Sequence, residues 1–371
     1  MTTTRIAILS PTEQGPMPLP ASAGQLVTQL ETHQEIWGWW LQSWALPLGE
    51  GEIMPFLQEL SRQAATQNRQ VTWASAAQPV ARRLVLQGQN AAEALRRALA
   101  ALHLQGLMPG RVEAAQGALL ILTLHGPENR LSLHNHQLQE ALEGLAVDAA
   151  LTPIWPAGHF RLLLADMDST LIAIECIDEV ADHLGLKRQV AAITERSMEG
   201  ELDFRTSLQE RVRLLAGTPV SVLDDVIAHR LQLNPGAREL VHGLHQHGIE
   251  VGVVSGGFTH FTRHLQDLLG LDYAFGNTLE ISDGQLTGNV LGEIIDAPAK
   301  AQILQVLARG LDTDPSHCIA MGDGANDLAM IHLAGAGIAY HAKPVVRSQA
   351  DFQIRHGGLD AVLAILSLTP A

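Results

Sequence analysis

The longest apolar runs of the chain lie in its second half, and they end alike. FRLLLAD, IEVGVVSGG, CIAMGDG and AGIAYHA hold Leu, Val, Ile and Ala without polar alternation, then close on Gly, Ser, Asp or His. Such runs predict strands buried on both faces, the form taken in parallel sheets. Helical segments such as PAKAQILQVLARG and NDLAMIHLAG alternate with them. The pattern predicts a doubly wound, mainly parallel α/β sheet, in which ligands bind beyond the carboxyl ends of the strands. About seventy residues of helical pattern, Ile177 to His247, separate the first run from the second. That is too long for one crossover, so a helical cap is expected at about 177–235.

Upstream the pattern is weaker. Residues 1–80 read as a poorly defined region punctuated by Pro11, Pro16, Pro18 and Pro20. Trp37, Trp40, Leu41 and Trp44 follow the i, i+3, i+4, i+7 spacing of a helix face, which predicts a Trp-rich helix there. Residues 81–157 read more clearly as β-α-β-β-α-β, with Asn90 as the cap of the first helix. That order describes a split βαβ, α+β domain similar to the small ACT-type domains that bind amino acids. The linker TPIWPAGH then leads into a third region, 158–371. No internal repeat is visible in the sequence.

Composition narrows the function. The 371 residues carry 24 Lys+Arg and 39 Asp+Glu, a net charge of −15. Residues 158–371 hold 15 basic and 27 acidic side chains and so account for −12 of it. This balance argues against a nucleic-acid partner or an anionic membrane surface. Two distant cysteines, Cys176 and Cys318, fit a reducing compartment. The start of the chain lacks the pattern of a secretory signal, and no stretch reaches the ~18 apolar residues of a membrane span. A soluble, cytoplasmic protein is expected.

Four segments carry chemistry. Asp166 and Asp168 follow the first apolar run, where an i, i+2 pair of carboxylates shares one side of an extended backbone. Such a pair calls for a cation or a shared proton, and Mg²⁺ suits an all-oxygen donor set. Gly322-Asp323-Gly324-Ala325-Asn326-Asp327 places Asp327 where a dinucleotide motif needs its third glycine, so a metal suits it better than a pyrophosphate. Val254-Ser255-Gly256-Gly257-Phe258 offers a hydroxyl and free N–H groups as a nest for phosphate. It lacks the first glycine of a nucleophile elbow, which makes Ser255 a binder. Lys300 stands at the start of a helix, whose dipole adds to its positive field. His242, His245 and His247 crowd one helix end, with too few convergent ligands for a transition-metal site. TLEISDGQLTG reads as a hairpin turning at Asp283-Gly284.

Taken in chain order, the four segments resemble those of the haloacid-dehalogenase-like (HAD) phosphatase superfamily: DxDx[TV], Ser/Thr, Lys and GDxxND. DMDSTLIAIECIDEVA, SMEGELDFRTSLQERVRLL, LNPGARELV, VVSGGF and GDGANDLAM are closer still to the phosphoserine phosphatase family. The resemblance runs from about Phe160 to Arg355. It implies Asp166 as the nucleophile that forms an aspartyl-phosphate and Asp168 as general acid and base. It implies a Mg²⁺ site from Asp166, Asp323 and the Asp168 carbonyl, with Asp327 as an outer or additional ligand. Ser255, Gly256 and Lys300 would hold phosphoryl oxygens, with Asn326 near them. Glu175 would meet the ammonium of phosphoserine and Arg211 its carboxylate, while Met198 and Phe204 would supply apolar cap contacts.

The implied reaction is hydrolysis of O-phosphoserine, the closing step of serine biosynthesis. The alternatives are a HAD-type phosphatase or phosphotransferase for another small phosphate ester, and a phospho-accepting regulator like a response-regulator receiver. Asp168 argues against the regulator, because it provides for turnover. Homodimerisation and an amino-acid ligand on residues 81–157 are further possibilities.

Overall fold

The computed structural model describes residues 3–14, 16–17, 30–36, 39–46, 50–67, 69–76, 80–89, 91–126, 131–198 and 201–368. Trp37 and Asn90 lie outside the described residues. The chain packs as two compact units. One is built on residues up to Trp155 and takes in Arg355–Gly357 and Ala364–Ser367; the other runs from Pro156 to Ile354 with Gly358–Leu363.

The first unit contains β1 (Thr3–Pro11), β2 (Leu30–Ile36), β3 (Trp39–Leu46), α1 (Glu50–Thr66) and β4 (Gln70–Ala76). These are followed by β5 (Val80–Gly88), α2 (Ala91–His103), β6 (Met108–Gln116), β7 (Leu119–Gly126), α3 (Leu131–Ala141) and β8 (Val147–Pro153). The expected β-α-β-β-α-β order is thus present from β5 to β8. The Trp-rich helix is not: Trp40, Leu41 and Trp44 lie on β3, paired with β1 in the register Ile6↔Trp44 and Leu9↔Leu41. An aromatic and aliphatic run satisfies a helical and a strand template equally, and pairing with a distant strand decides between them.

The region before residue 80 is also more regular than its prolines suggest. Its sheet has the order β2-β3-β1-β4, and the next sheet the order β6-β7-β5-β8. Both place their strands second, third, first, fourth, and all six pairings are antiparallel. The unit is a structural repeat with no matching sequence repeat. Alternation along β1 explains how the copies share a core. Ile6 and Ile8 pack with Phe56, Leu57 and Leu60 of α1. Ala7 and Leu9 face the other way and join Leu84, Leu86, Ala98 and Leu122 of the second copy.

The second unit holds a seven-stranded sheet of order β12-β11-β10-β9-β13-β14-β15. Its strands are β9 (Leu162–Ala165), β10 (Glu250–Phe258), β11 (Tyr273–Ser282), β12 (Gln285–Leu291), β13 (Cys318–Gly322), β14 (Ala336–Tyr340) and β15 (Phe352–Ile354). Every pairing is parallel except β11 with β12. Those two form the expected hairpin; Asp283 and Gly284 both take positive φ, at 50° and 76°, as its two-residue turn requires. The four residues of β9 are all fully buried, as its unbroken apolar run demands.

Between β9 and β10 come α4 (Cys176–His183), α5 (Lys187–Met198), α6 (Phe204–Arg213), α7 (Ser221–His229) and α8 (Ala237–Gln246). Later helices are α9 (Thr259–Leu269), α10 (Ala297–Gly310), α11 (Leu328–Leu333) and α12 (Pro344–Arg347). Among the described residues no helix is long and apolar enough to cross a membrane.

Candidate active site

β9 and β13 are neighbours in register, Ala165 opposite Met321, so their carboxyl ends bring Asp166 and Asp323 together. Asp166 is 4% exposed, and its backbone N–H still donates to Met321 O at 2.9 Å. The chain then turns tightly through 167–171, with Ser169 at φ 56°. This turn separates the two aspartates of the motif. Asp166 Oδ1 accepts from its neighbour's N–H, Met167 N, at 2.7 Å, whereas Asp168 Oδ1 accepts from Cys176 N, at the start of α4, at 3.1 Å.

Lys300 lies between two acids. Its Nζ is 2.8 Å from Asp166 Oδ1 and 2.7 Å from Asp327 Oδ1, and the lysine is 1% exposed. Burial alone would lower its pKa, but the charges of Asp166 and Asp327 outweigh that and raise it. The lysine is therefore a fixed cation, unlike the surface residue that its isolated sequence would also allow. Asp327 is completely buried, with Oδ2 accepting from Gly324 N at 3.0 Å. Asn326 Nδ2 reaches Asp166 Oδ2 at 3.4 Å.

Carboxylate oxygens of Asp166, Asp323 and Asp327 lie within 4.8 Å of one another, the metal-capable cluster found among the described residues. Burial and the Asp166 charge raise the pKa of Asp323, and the same causes push Asp327 up to about 7. Lys300 offsets only part of this crowding, and the donors are all hard oxygens. Both facts fit a small divalent cation. The Asp168 side chain stands apart from the cluster. Burial, followed by the charges of Glu175 and Asp166, pushes its carboxyl up to about 8. Neighbouring aspartates thus differ in environment: one faces a lysine, and the other is held toward its protonated form.

Ser255 is 1% exposed, and its Oγ accepts from Gly257 N at 2.8 Å, which leaves the hydroxyl proton to donate elsewhere. Gly257 has no room for a side chain, since a Cβ would stand 2.9 Å from Asp168 Oδ2 and 2.8 Å from Met167 Cε. At Gly256 a Cβ would meet Phe204 Cζ at 2.7 Å, so the first residue of α6 lies directly on the serine–glycine loop.

Glu175 Oε1 accepts from Ser169 Oγ at 2.9 Å, and burial, ahead of nearby acids, raises its pKa. Arg211 is largely buried, which lowers its pKa despite the charges of Asp178, Glu175 and Asp168. Nε donates to Ser207 O at 3.3 Å; neither Nη has an ion-pair partner among the described residues. The Met198 side chain lies outside the described residues. The crowded histidines disperse: His245 pairs with Asp272 at 3.0 Å, and His247 Nδ1 meets Gly243 O at 2.8 Å.

Three supporting residues escaped the sequence reading. Thr170 Oγ1 reaches Asp323 Oδ1 at 3.4 Å, Ser169 braces Glu175, and Arg205 Nε donates to Asp296 Oδ2 at 2.8 Å. The first two sit inside the DMDST motif and Arg205 inside SMEGELDFRTSLQERVRLL, so the signal was present in the quoted segments, but their roles follow only from the contacts.

The haloacid dehalogenase-like hydrolase family matches residues 160–335. A phosphoserine phosphatase of a Polaromonas species is 48% identical over 235 residues, covering 62% of this chain and 99% of the relative. The chain belongs to the phosphoserine phosphatase family. Membership makes it a phosphoric monoester hydrolase on a HAD-like core, in a class that is generally metal-dependent. The structure of a probable phosphoserine phosphatase from Vibrio cholerae superposes with TM-score 0.66 at 38% identity, covering 77% of this chain and 86% of that one. A phospho-aspartyl intermediate analogue of phosphoserine phosphatase is 41% identical with TM-score 0.52, covering 55% and 97%.

Proposed function

We propose that the protein hydrolyses O-phospho-L-serine to L-serine and phosphate through an aspartyl-phosphate on Asp166, as the last step of serine biosynthesis. The observation that carries this reading is the contrast between two buried acids two residues apart: Asp166 against Lys300, and Asp168 held toward protonation. A phospho-accepting regulator needs the first acid only; a hydrolase needs both.

In the first step Asp166 attacks phosphorus, the bond to the serine oxygen breaks, and Asp168 gives that oxygen its proton. In the second, Asp168 takes a proton from water, the water oxygen bonds to phosphorus, and the bond to Asp166 breaks. Lys300, the Ser255 hydroxyl and the Gly256 N–H hold phosphoryl oxygens, where fixed donors act best on developing charge. Asn326 flanks the same oxygens. Mg²⁺ would be held by Asp166 and Asp323, the Asp168 carbonyl and, further out, Asp327, and when bound it supplies positive charge against the phosphoryl oxygens.

Glu175 receives the substrate ammonium. The Arg211 fork, whose Nη groups have no ion-pair partner among the described residues, receives the carboxylate. Phe204, with Met198, closes the apolar side. Two buried free cysteines support a cytoplasmic setting.

The test is phosphate release from a panel of phosphorylated amino acids and sugars, with and without Mg²⁺. Strong preference for phosphoserine is expected; equal rates on sugar phosphates would refute the substrate. The β-α-β-β-α-β order of residues 80–153 supports an amino-acid ligand there, and homodimerisation is part of the same reading. Because the two copies in the first unit share a core, serine should be titrated into the full chain and not into residues 81–157 alone. Absence of binding heat would count against the ligand.

A further inference from the structure

The phosphate-holding loop is made by a fault in the sheet. Val254 pairs with Phe275 and Phe258 with Asn277, so Ser255, Gly256 and Gly257 on β10 face the single Gly276 on β11. A bulge of this kind takes backbone groups out of the ladder and re-aims them. The loop it frees still has to be fixed in place.

Asn277 stands where the pairing resumes and is 1% exposed. Its Nδ2 donates to Gly256 O at 2.8 Å, and its Oδ1 accepts from Ile295 N at 2.9 Å. The residue after Ile295 is Asp296, which caps α10 by accepting from Ala299 N at 3.1 Å and, through its carbonyl, from Lys300 N at 3.0 Å. One side-chain amide, used at both ends, thus spans from the loop of Ser255 and Gly256 to the start of the helix that carries Lys300. The metal-capable acids sit elsewhere, at the ends of β9 and β13 and just beyond.

We propose that Asn277 is a positioning residue for phosphoryl transfer, setting the separation between the serine–glycine loop and Lys300. Both groups must meet oxygens of one phosphoryl group, and preorganised donors lose their effect when misplaced by about 1 Å. Buried amides with both ends satisfied are suited to hold such a distance. The proposal rests on the phosphatase reading but not on serine as the substrate.

The experiment uses the full chain with Asn277→Leu and Asn277→Asp. Inorganic phosphate affinity is measured by calorimetry with Mg²⁺ present, Mg²⁺ affinity is measured separately, and turnover is followed on p-nitrophenyl phosphate. Expected are phosphate affinity weakened about tenfold, kcat lowered about 10–100-fold and Mg²⁺ affinity held within about twofold. Unchanged phosphate affinity would overturn the proposal, as would phosphate and Mg²⁺ affinities falling together, which marks general loosening. If the leucine variant does not fold, the aspartate variant, which keeps the shape and the acceptor for Ile295, decides. If neither folds, Asn277 is a folding residue and the proposal fails. A wild-type enzyme inactive on phosphoserine, whose phosphate affinity still falls when Asn277 is changed, would sink the substrate reading alone.

Discussion

The two units bury polar side chains to opposite ends. In the first, an amide and a carboxylate complete backbone hydrogen bonds, and what is left over is neutral in the main, such as Thr152 Oγ1 and Gln137 Oε1. Asn135 on α3 pairs reciprocally with β8, donating to Leu151 O at 2.9 Å and accepting from Leu151 N at 2.7 Å, while Gln139 donates to Ala149 O at 2.6 Å. The helix thereby closes a sheet edge that would otherwise offer open groups to another strand. Asp148 likewise accepts from the consecutive N–H groups of Arg355, His356 and Gly357, at 2.7, 3.1 and 2.6 Å. In the second unit, beside satisfied amides such as Asn277, stand charges that the fold leaves partly unanswered: three converging carboxylates with one lysine, an acid held toward protonation, and a guanidinium whose Nη groups have no ion-pair partner among the described residues. Satisfied burial marks architecture. Unanswered buried charge at the ends of parallel strands marks a place prepared for a ligand.

Substitutions should break the two kinds of burial differently. The largest effect is expected at Asp168. Asp168→Asn should lower turnover about 10²–10⁴-fold, measured as phosphate release, because the proton for the leaving group is lost. The same change should stabilise the metal-free protein at pH 8. The folded acid keeps its proton up to about 8, whereas the unfolded one loses it near 3.8. The folded state therefore binds more protons between those values, and wild-type stability falls as pH rises through them. Thermal melts in EDTA should show a variant advantage of a few degrees at pH 8 that vanishes near pH 4. A variant less stable at pH 8 would mean that the acid is well satisfied.

Arg211→Ala should be next, lowering kcat/KM for phosphoserine by about a hundredfold while a generic aryl phosphate loses only a few-fold. Equal losses on both substrates would remove its carboxylate role. Asn135→Ala belongs to the other kind of burial. It should cost about 1–3 kcal/mol in denaturant unfolding, by leaving the Leu151 N–H and C=O unpaired, with kcat unchanged. A drop in kcat without loss of stability would erase the contrast.

Much of the catalytic unit was legible in the sequence because its chemistry is local. A run such as LLLAD states both the strand and the acid at its end, and four such ends meet whenever the strands are parallel neighbours. The first unit was less legible for the converse reason. Trp40 and Trp44 became strand residues through pairing with Ser10 and Ile6, thirty or more positions away. Its duplication shows in strand order, not in residues, because a buried face asks only for apolar side chains of fitting size. The supporting polar residues divide likewise. Ser169 and Thr170 lie inside a motif, whereas Asn277 sits in FGNTL, which resembles nothing until its amide is seen between two loops.

The sealed lysine has a practical consequence. Of three lysines in the chain, Lys187 and Lys343 are exposed and Lys300 is not. Amine-reactive reagents therefore meet two lysine side chains on the native protein and a third only when the site comes apart. The mass added by such a reagent counts the molecules whose catalytic centre has opened, with no substrate in the tube.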